Sequence, residues 1–168
     1  MSLLDQQFQY NAWANRRVFE ICAAVDPAEL DAEAKGTVGT IALTLKHIVH
    51  VEDAYVAMIE ETSLDAVGRP ETYNTREIPW YSQRSQELSL AYAAIVARAN
   101  SALLERNLAV PWFQFPLTVN DGLIQILNHS AQHRAQVLSA LGDRGHAVPD
   151  IDYVFMLAER AAQVSPAS

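Results

Sequence analysis

Four stretches of this chain repeat their apolar residues every three or four positions, and Pro- or Gly-containing joins separate them. That period buries one face of a helix and suits no strand. The first stretch runs from Ser2 to Val25, with Leu4, Phe8, Asn11, Asn15, Val18, Cys22 and Val25 in one stripe, and stops at Asp26-Pro27. The second follows the Lys35-Gly36-Thr37 break and reaches about Glu61. A long polar connection containing Pro70 and Pro79 leads to the third, about Gln83 to Asn107, which carries Leu88, Tyr92, Ile95, Ala99, Ala102 and Leu103 at helical spacing. Pro111 and Pro116 bracket Trp112, Phe113 and Phe115, which reads as a small extended excursion or a surface flap. Asn120 or Asp121 offers an N-cap for the fourth stretch, ending near Gly142, and a short terminal helix is expected after Pro149. The expectation is an all-α four-helix bundle plus a short C-terminal helix, with room for a crossover in the long second-to-third connection.

At 168 residues the chain fits a single domain spanning 1–168, and half of it is hydrophobic, enough for a core. A formal charge of -8 argues against affinity for nucleic acid or an anionic membrane, which require clustered Lys and Arg. No apolar run is long enough to span a bilayer. The opening MSLLDQQFQYNAWANRR lacks the pattern of a secretory signal, and one cysteine, Cys22, forms no internal disulfide framework. A cytoplasmic location is expected.

The two asparagines in the first stripe are out of place on an apolar face, because a buried amide needs partners. They either bond to neighbouring helix ends and loops or line a polar cavity. Other polar residues on inward faces carry more chemistry. His129 and His133 are four apart on the fourth helix, among Gly122, Ile126, Gln136 and Ala140, so both rings face one point. Such a pair suits zinc but is also compatible with two packed histidines. Ser130 stands where a zinc protease has its glutamate, and no histidine has Glu three residues before it, as a ferritin-like di-iron site demands.

The second helix holds the candidates for a third ligand. His47 shares a stripe with Leu43, Val51, Ala54 and Met58, which should face the core. His50 shares one with Lys46, Asp53, Ala57 and Glu60, which should face water. Period alone therefore selects His47. Glu52 either supports the second ring nitrogen of a ligand or is an exposed helix charge. His146, in a Gly-rich turn, is expected at the surface. Gln136 either touches a substrate or bonds within the bundle, and Arg134, about 100° round the helix from His133, pairs with an acidic residue or reaches a subunit contact. Trp13 and the loop aromatics read as packing, an apolar substrate wall or a dimer interface.

Three segments, in order, resemble the DinB-like (DinB/YfiT) superfamily of metal-dependent enzymes: YNAWANRR at 10–17, GTVGTIALTLKHIVHVEDAY on the second helix, and NHSAQHRAQVLSALGDRGHAVPDIDYVFML at the end. The resemblance covers nearly the whole chain. It implies a four-helix bundle with a crossover connection, a homodimer, and a divalent metal, zinc or nickel, held by His47, His129 and His133. Two departures stand out: Ala135 replaces the usual Gly after His-Arg, and Tyr55 replaces a Trp often found after the acidic residue, which should alter the pocket wall.

A three-histidine ion keeps coordination positions free for water or a thiol. The expected function is a metal-dependent enzyme acting on a small molecule, first a thiol-dependent S-transferase using a low-molecular-weight thiol. The resemblance favours that chemistry, since relatives include bacillithiol and mycothiol transferases. The alternatives are a hydrolase that uses metal-bound water, or a non-enzymatic metal-stabilised stress-response or binding module. Neither a Ser-His-Asp arrangement nor a Gly-rich phosphate loop is apparent.

Overall fold

The structure, a computed structural model, describes residues 1–164. Helix α1 (Leu3–Ala23) opens with a capping box: the Ser2 hydroxyl accepts from the Asp5 amide at 3.1 Å, and the Asp5 carboxylate accepts from the Ser2 amide at 2.8 Å. A single turn, α2 (Pro27–Leu30), leads to α3 (Ile41–Ile59), capped by Thr40. The connection that follows holds a 3-10 turn (Leu64–Ala66) and α4 (Pro70–Tyr73), and then α5 (Ile78–Ala97) begins. Next come α6 (Ser101–Leu104) and a two-residue antiparallel ribbon of β1 (Asn107–Leu108) and β2 (Leu117–Thr118). The chain then runs through α7 (Val119–Asp143) and α8 (Tyr153–Val164).

The four long helices, α1, α3, α5 and α7, make a bundle. Helices α1 and α3 each pack on both α5 and α7, so α1 faces α3 across one diagonal and α5 faces α7 across the other. Two apolar clusters define the directions. One joins the end of α1 (Val18, Cys22) to the starts of α3 (Ile41, Leu45) and α5 (Tyr81) and the end of α7 (Leu141). The other joins Phe8, Ile59, Ile95 and Leu123 from the opposite halves. Hence α1 and α7 run one way and α3 and α5 the other. Adjacent helices that run parallel cannot be joined by a tight turn, so residues 60–77 travel the length of the bundle. This is the expected crossover, and it lies in the expected connection.

Three boundaries differ from the sequence expectation. Helix α5 starts at Ile78, not near Gln83, because Pro79 sits in its first turn, where a missing N–H costs nothing. It ends at Ala97 rather than running to Asn107: the Asn100 side chain caps the separate turn α6, accepting from the Leu103 amide at 2.9 Å. Helix α7 is capped by Thr118, with Asp121 as its capping-box partner rather than as the cap itself.

The stripe of α3 expected to face water is largely covered. Asp53 is buried and takes a two-pronged ion pair from Arg84 on α5, at 2.7 and 2.9 Å. Lys46 donates to the Asn74 carbonyl at 2.9 Å, and His50 donates through Nε2 to the Gly68 carbonyl at 3.0 Å while its ring lies 4.5 Å from that of Tyr73. The crossover segment lies over this stripe, and a helical period carries no information about a covering loop. Conversely, Leu43 on the expected inward stripe is 37% exposed.

Candidate metal centre

Histidines 47, 129 and 133 meet between α3 and α7. One ring nitrogen of each lies within 4.8 Å of the others, and the ring centroids are 4.4 to 4.9 Å apart. The Nε2 atoms of His47 and His129 are 3.1 Å apart. Two neutral imidazole nitrogens hold that separation stably only with a proton or a cation between them. Two nitrogens each about 2.05 Å from a zinc ion and 3.1 Å apart subtend about 98° at it, within reach of a four-coordinate site.

The electrostatics suit the same purpose. Burial pushes the pKa of His47 down to about 4 and that of His129 to about 3, with the neighbouring imidazoles lowering both further. Both rings are therefore neutral at pH 7 and keep a lone pair. The His133 Nδ1 lies 2.6 Å from Gln136 Oε1, which only accepts, so Nδ1 carries the proton and Nε2 is left as the donor. That contact decides between the two readings of Gln136 in favour of a bond within the bundle. The set is three nitrogens without thiolate or carboxylate, and it suits a divalent transition metal. Among the described residues no fourth Cys, His, Asp or Glu joins the group. Cys22 lies in the apolar cluster at one end, fully buried, with its pKa pushed up to about 12.

A cleft of about 770 Å³ lies over His47 and His129. Tyr55, Trp112 and Phe113 line one side of it, and the crossover residues Leu64, Val67 and Pro70 line another. The loop of three aromatics is thus the tip of the β1–β2 ribbon, and two of them are walls of the cleft. Tyr55, in place of the expected Trp, is itself buried in that wall, its ring centroid 6.3 Å from that of Trp112. Gly122 lets α7 pass close by: a Cβ there would come within 3.3 Å of the Tyr55 ring and 2.5 Å of Leu108 Cδ2. His50 lines the same cleft, three residues along α3 from His47, but is not in the group of three. His146 is half-buried rather than at the surface, with Nε2 2.5 Å from Glu29 on α2, remote from the cleft.

Beside the histidines lies a buried polar layer that joins all four long helices. Glu52 is 2% exposed and accepts from Asn11 at 3.0 Å, Asn15 at 2.9 Å and Ser130 at 2.7 Å. The carbonyl oxygens of the same two asparagines accept from Arg134, each at 2.6 Å, and Arg134 is also 2% exposed. The asparagines therefore pass from cation to anion, amide oxygen toward Arg134 and amide nitrogen toward Glu52. The Tyr92 hydroxyl on α5 donates to the Glu52 carbonyl at 2.9 Å. Sequence reasoning set Asn11 and Asn15 against helix ends or a cavity, Glu52 against a histidine or water, and Arg134 against an acid or a subunit. The structure instead links all four in one network, the asparagines standing between Arg134 and Glu52. Ser130 and Tyr92 were missed. The available signal was spacing: Asn11/Asn15 and Ser130/Arg134 are polar i,i+4 pairs, the second displaced by one residue from His129/His133.

Among the described residues no helix is long and apolar enough to cross a membrane. No curated protein matches the chain. Solved structures share its fold, two of them from Bacillus subtilis. The first is YfiT from Bacillus subtilis, described as a probable metal-dependent hydrolase with an unusual four-helix bundle topology. It superposes with a TM-score of 0.70 at 14% identity, covering 88% of this chain and 91% of that one. The second is a DinB-like protein, YjoA, also from Bacillus subtilis, with a TM-score of 0.66 at 14% identity over 90% of this chain and 99% of that one. The model of the DinB family matches residues 1–163, and with the bundle, its crossover and the three converging imidazoles in view, the chain belongs to the DinB family.

Proposed function

We propose that this protein is a metal-dependent enzyme that holds zinc or nickel through His47, His129 and His133 and acts as a thiol-dependent S-transferase on a small molecule. The observation that carries the reading is the convergence of three nitrogen donors, at least two of them neutral by burial, beside an apolar cleft and without a fourth protein ligand among the described residues. A divalent ion bound there supplies Lewis acidity and lowers the pKa of a thiol or water beside it.

The chain's own residues do the rest. Gln136 fixes the tautomer of His133. Tyr55, Trp112 and Phe113 give one side of the cleft an apolar wall. Glu52 accepts from three side-chain donors and so is not free to act as a general base. Thiol transfer to an electrophile needs little more than an ionised sulfur, whereas ester or amide hydrolysis also needs a proton delivered to the leaving group. His50, on the wall of the cleft, already donates through Nε2 to the Gly68 carbonyl. This balance supports transfer over hydrolysis. Hydrolysis is the second reading, supported by the likeness to YfiT, a probable metal-dependent hydrolase.

The test is a turnover screen of the purified, metal-loaded protein, with several thiols plus electrophiles set against esters and amides. The expected result is thiol-dependent turnover that vanishes in His133→Ala. Turnover of esters or amides without thiol moves the assignment to hydrolysis. Activity unchanged in His133→Ala removes the metal mechanism. In cobalt-substituted protein, added thiol should shift the visible spectrum, and an indifferent spectrum would favour a metal that only stabilises the fold.

A further inference from the structure

The cleft is larger than an ion and a small thiol require. At about 770 Å³ it lies within the range of roughly 300–1,000 Å³ typical of sites for small organic ligands. Its composition selects among them. Tyr55, Trp112, Phe113, Leu64 and Val67 supply aromatic and branched apolar surface. Trp112 is 51% exposed and Phe113 36% exposed on the tip of a two-residue ribbon. A second aromatic body laid against them would bury surface that is now wet.

The polar contribution is specific as well. Arg69 lines the cleft and is exposed. Arg84, Arg98 and Arg106, elsewhere on the molecule, carry carboxylate partners. Among the described residues Arg69 has no carboxylate within 4.0 Å, although Asp65 lies on the same wall. A planar guanidinium at an apolar cleft is matched by a planar anion.

We infer that the cleft takes a small molecule with an aromatic or branched apolar body and a carboxylate end. The body lies on Trp112 and Phe113, the carboxylate is held by Arg69, and the remaining end is turned to the histidines. That the turned end is the reacting end rests on the enzymatic reading above; the binding itself does not.

Two-dimensional amide NMR on the full chain separates the cases, using 2-naphthylacetate and its uncharged amide as probes. The three tryptophans give three indole signals. In the metal-free protein the signal of Trp112 should move while those of Trp13 and Trp80 stay. The acid should bind about fivefold tighter than the amide, the size of a partly exposed ion pair. Arg69→Gln should erase that preference, and Trp112→Ala should weaken both probes. Equal binding of acid and amide, a preference that survives Arg69→Gln, or an unmoved Trp112 signal overturns the inference. A preference that arises only in zinc-loaded protein and is lost in His133→Ala puts the carboxylate on the metal, which overturns the role of Arg69 while leaving the metal reading intact. Binding as expected in a protein that turns nothing over sinks the enzymatic reading and leaves this one standing.

Discussion

Removing the Glu52 side chain tests whether the buried polar layer acts as one unit. In Glu52→Ala, Arg134 keeps its position at 2% exposure but loses the only carboxylate that reaches it through Asn11 and Asn15. The two asparagine amides and the Ser130 hydroxyl lose their acceptor at the same time. Breaking a buried pair from one side costs about 3–5 kcal/mol, because the surviving charge stays out of water. For a chain of this length about 4 kcal/mol corresponds to a fall in Tm of roughly 8–16 °C. The same logic makes the double variant Glu52→Ala/Arg134→Met milder than the sum of its parts, since the stranded charge is gone. Urea unfolding of the wild type, both single variants and the double variant gives the coupling energy directly. A coupling of at least about 2 kcal/mol is expected. Additive effects, or a loss below about 1 kcal/mol in Glu52→Ala, would refute the idea that these residues form one network. Glu52 shares α3 with His47, and Ser130 and Arg134 share α7 with His129 and His133. The single variants should therefore also weaken zinc binding, which is read by competition with a chromophoric chelator on protein still folded.

Other outcomes follow from the same geometry. Gln136→Leu removes the acceptor that orients His133 and should weaken zinc about 10–100-fold with the fold intact, as measured by the same competition. The pKa values of His47 and His129 lie below the unfolded value of 6.5, so on acidification the unfolded chain takes up protons first. The metal-free protein should keep full stability above pH 6.5 and lose it steadily as pH falls toward about 4 and then 3; His129→Ala should flatten that slope in a series of thermal melts. Cys22 is fully buried with its thiol pushed up to about 12. A thiol reagent at pH 8 should react with it only at the rate of unfolding, and fast reaction in native buffer would show that this end of the bundle opens.

Much of this molecule is local in origin. The apolar period set the long helices, and it singled out His47 over His50; the structure leaves both half-buried on the same cleft, and only His47 joins the other two imidazoles. The i,i+4 spacing of His129 and His133 put two rings on one face before any fold was known. What a period cannot carry is the identity of the partner across the interface. His47 and His129 are 82 residues apart in the chain, and Arg134 and Asn11 are 123 apart. Only the packing of α3 against α7, with α1 across the diagonal, brings them together. The same holds for the covered stripe of Lys46, His50 and Asp53, which looks solvated because its cover is a loop without a period of its own. Local spacing decided where the long helices run and set His129 and His133 on one face; the tertiary structure decided which residues of α3 are buried and what each of them meets there. The reason is physical: helix formation is settled by neighbours within one turn, whereas burying a charge or assembling three imidazoles depends on surfaces that meet only after the chain has closed on itself.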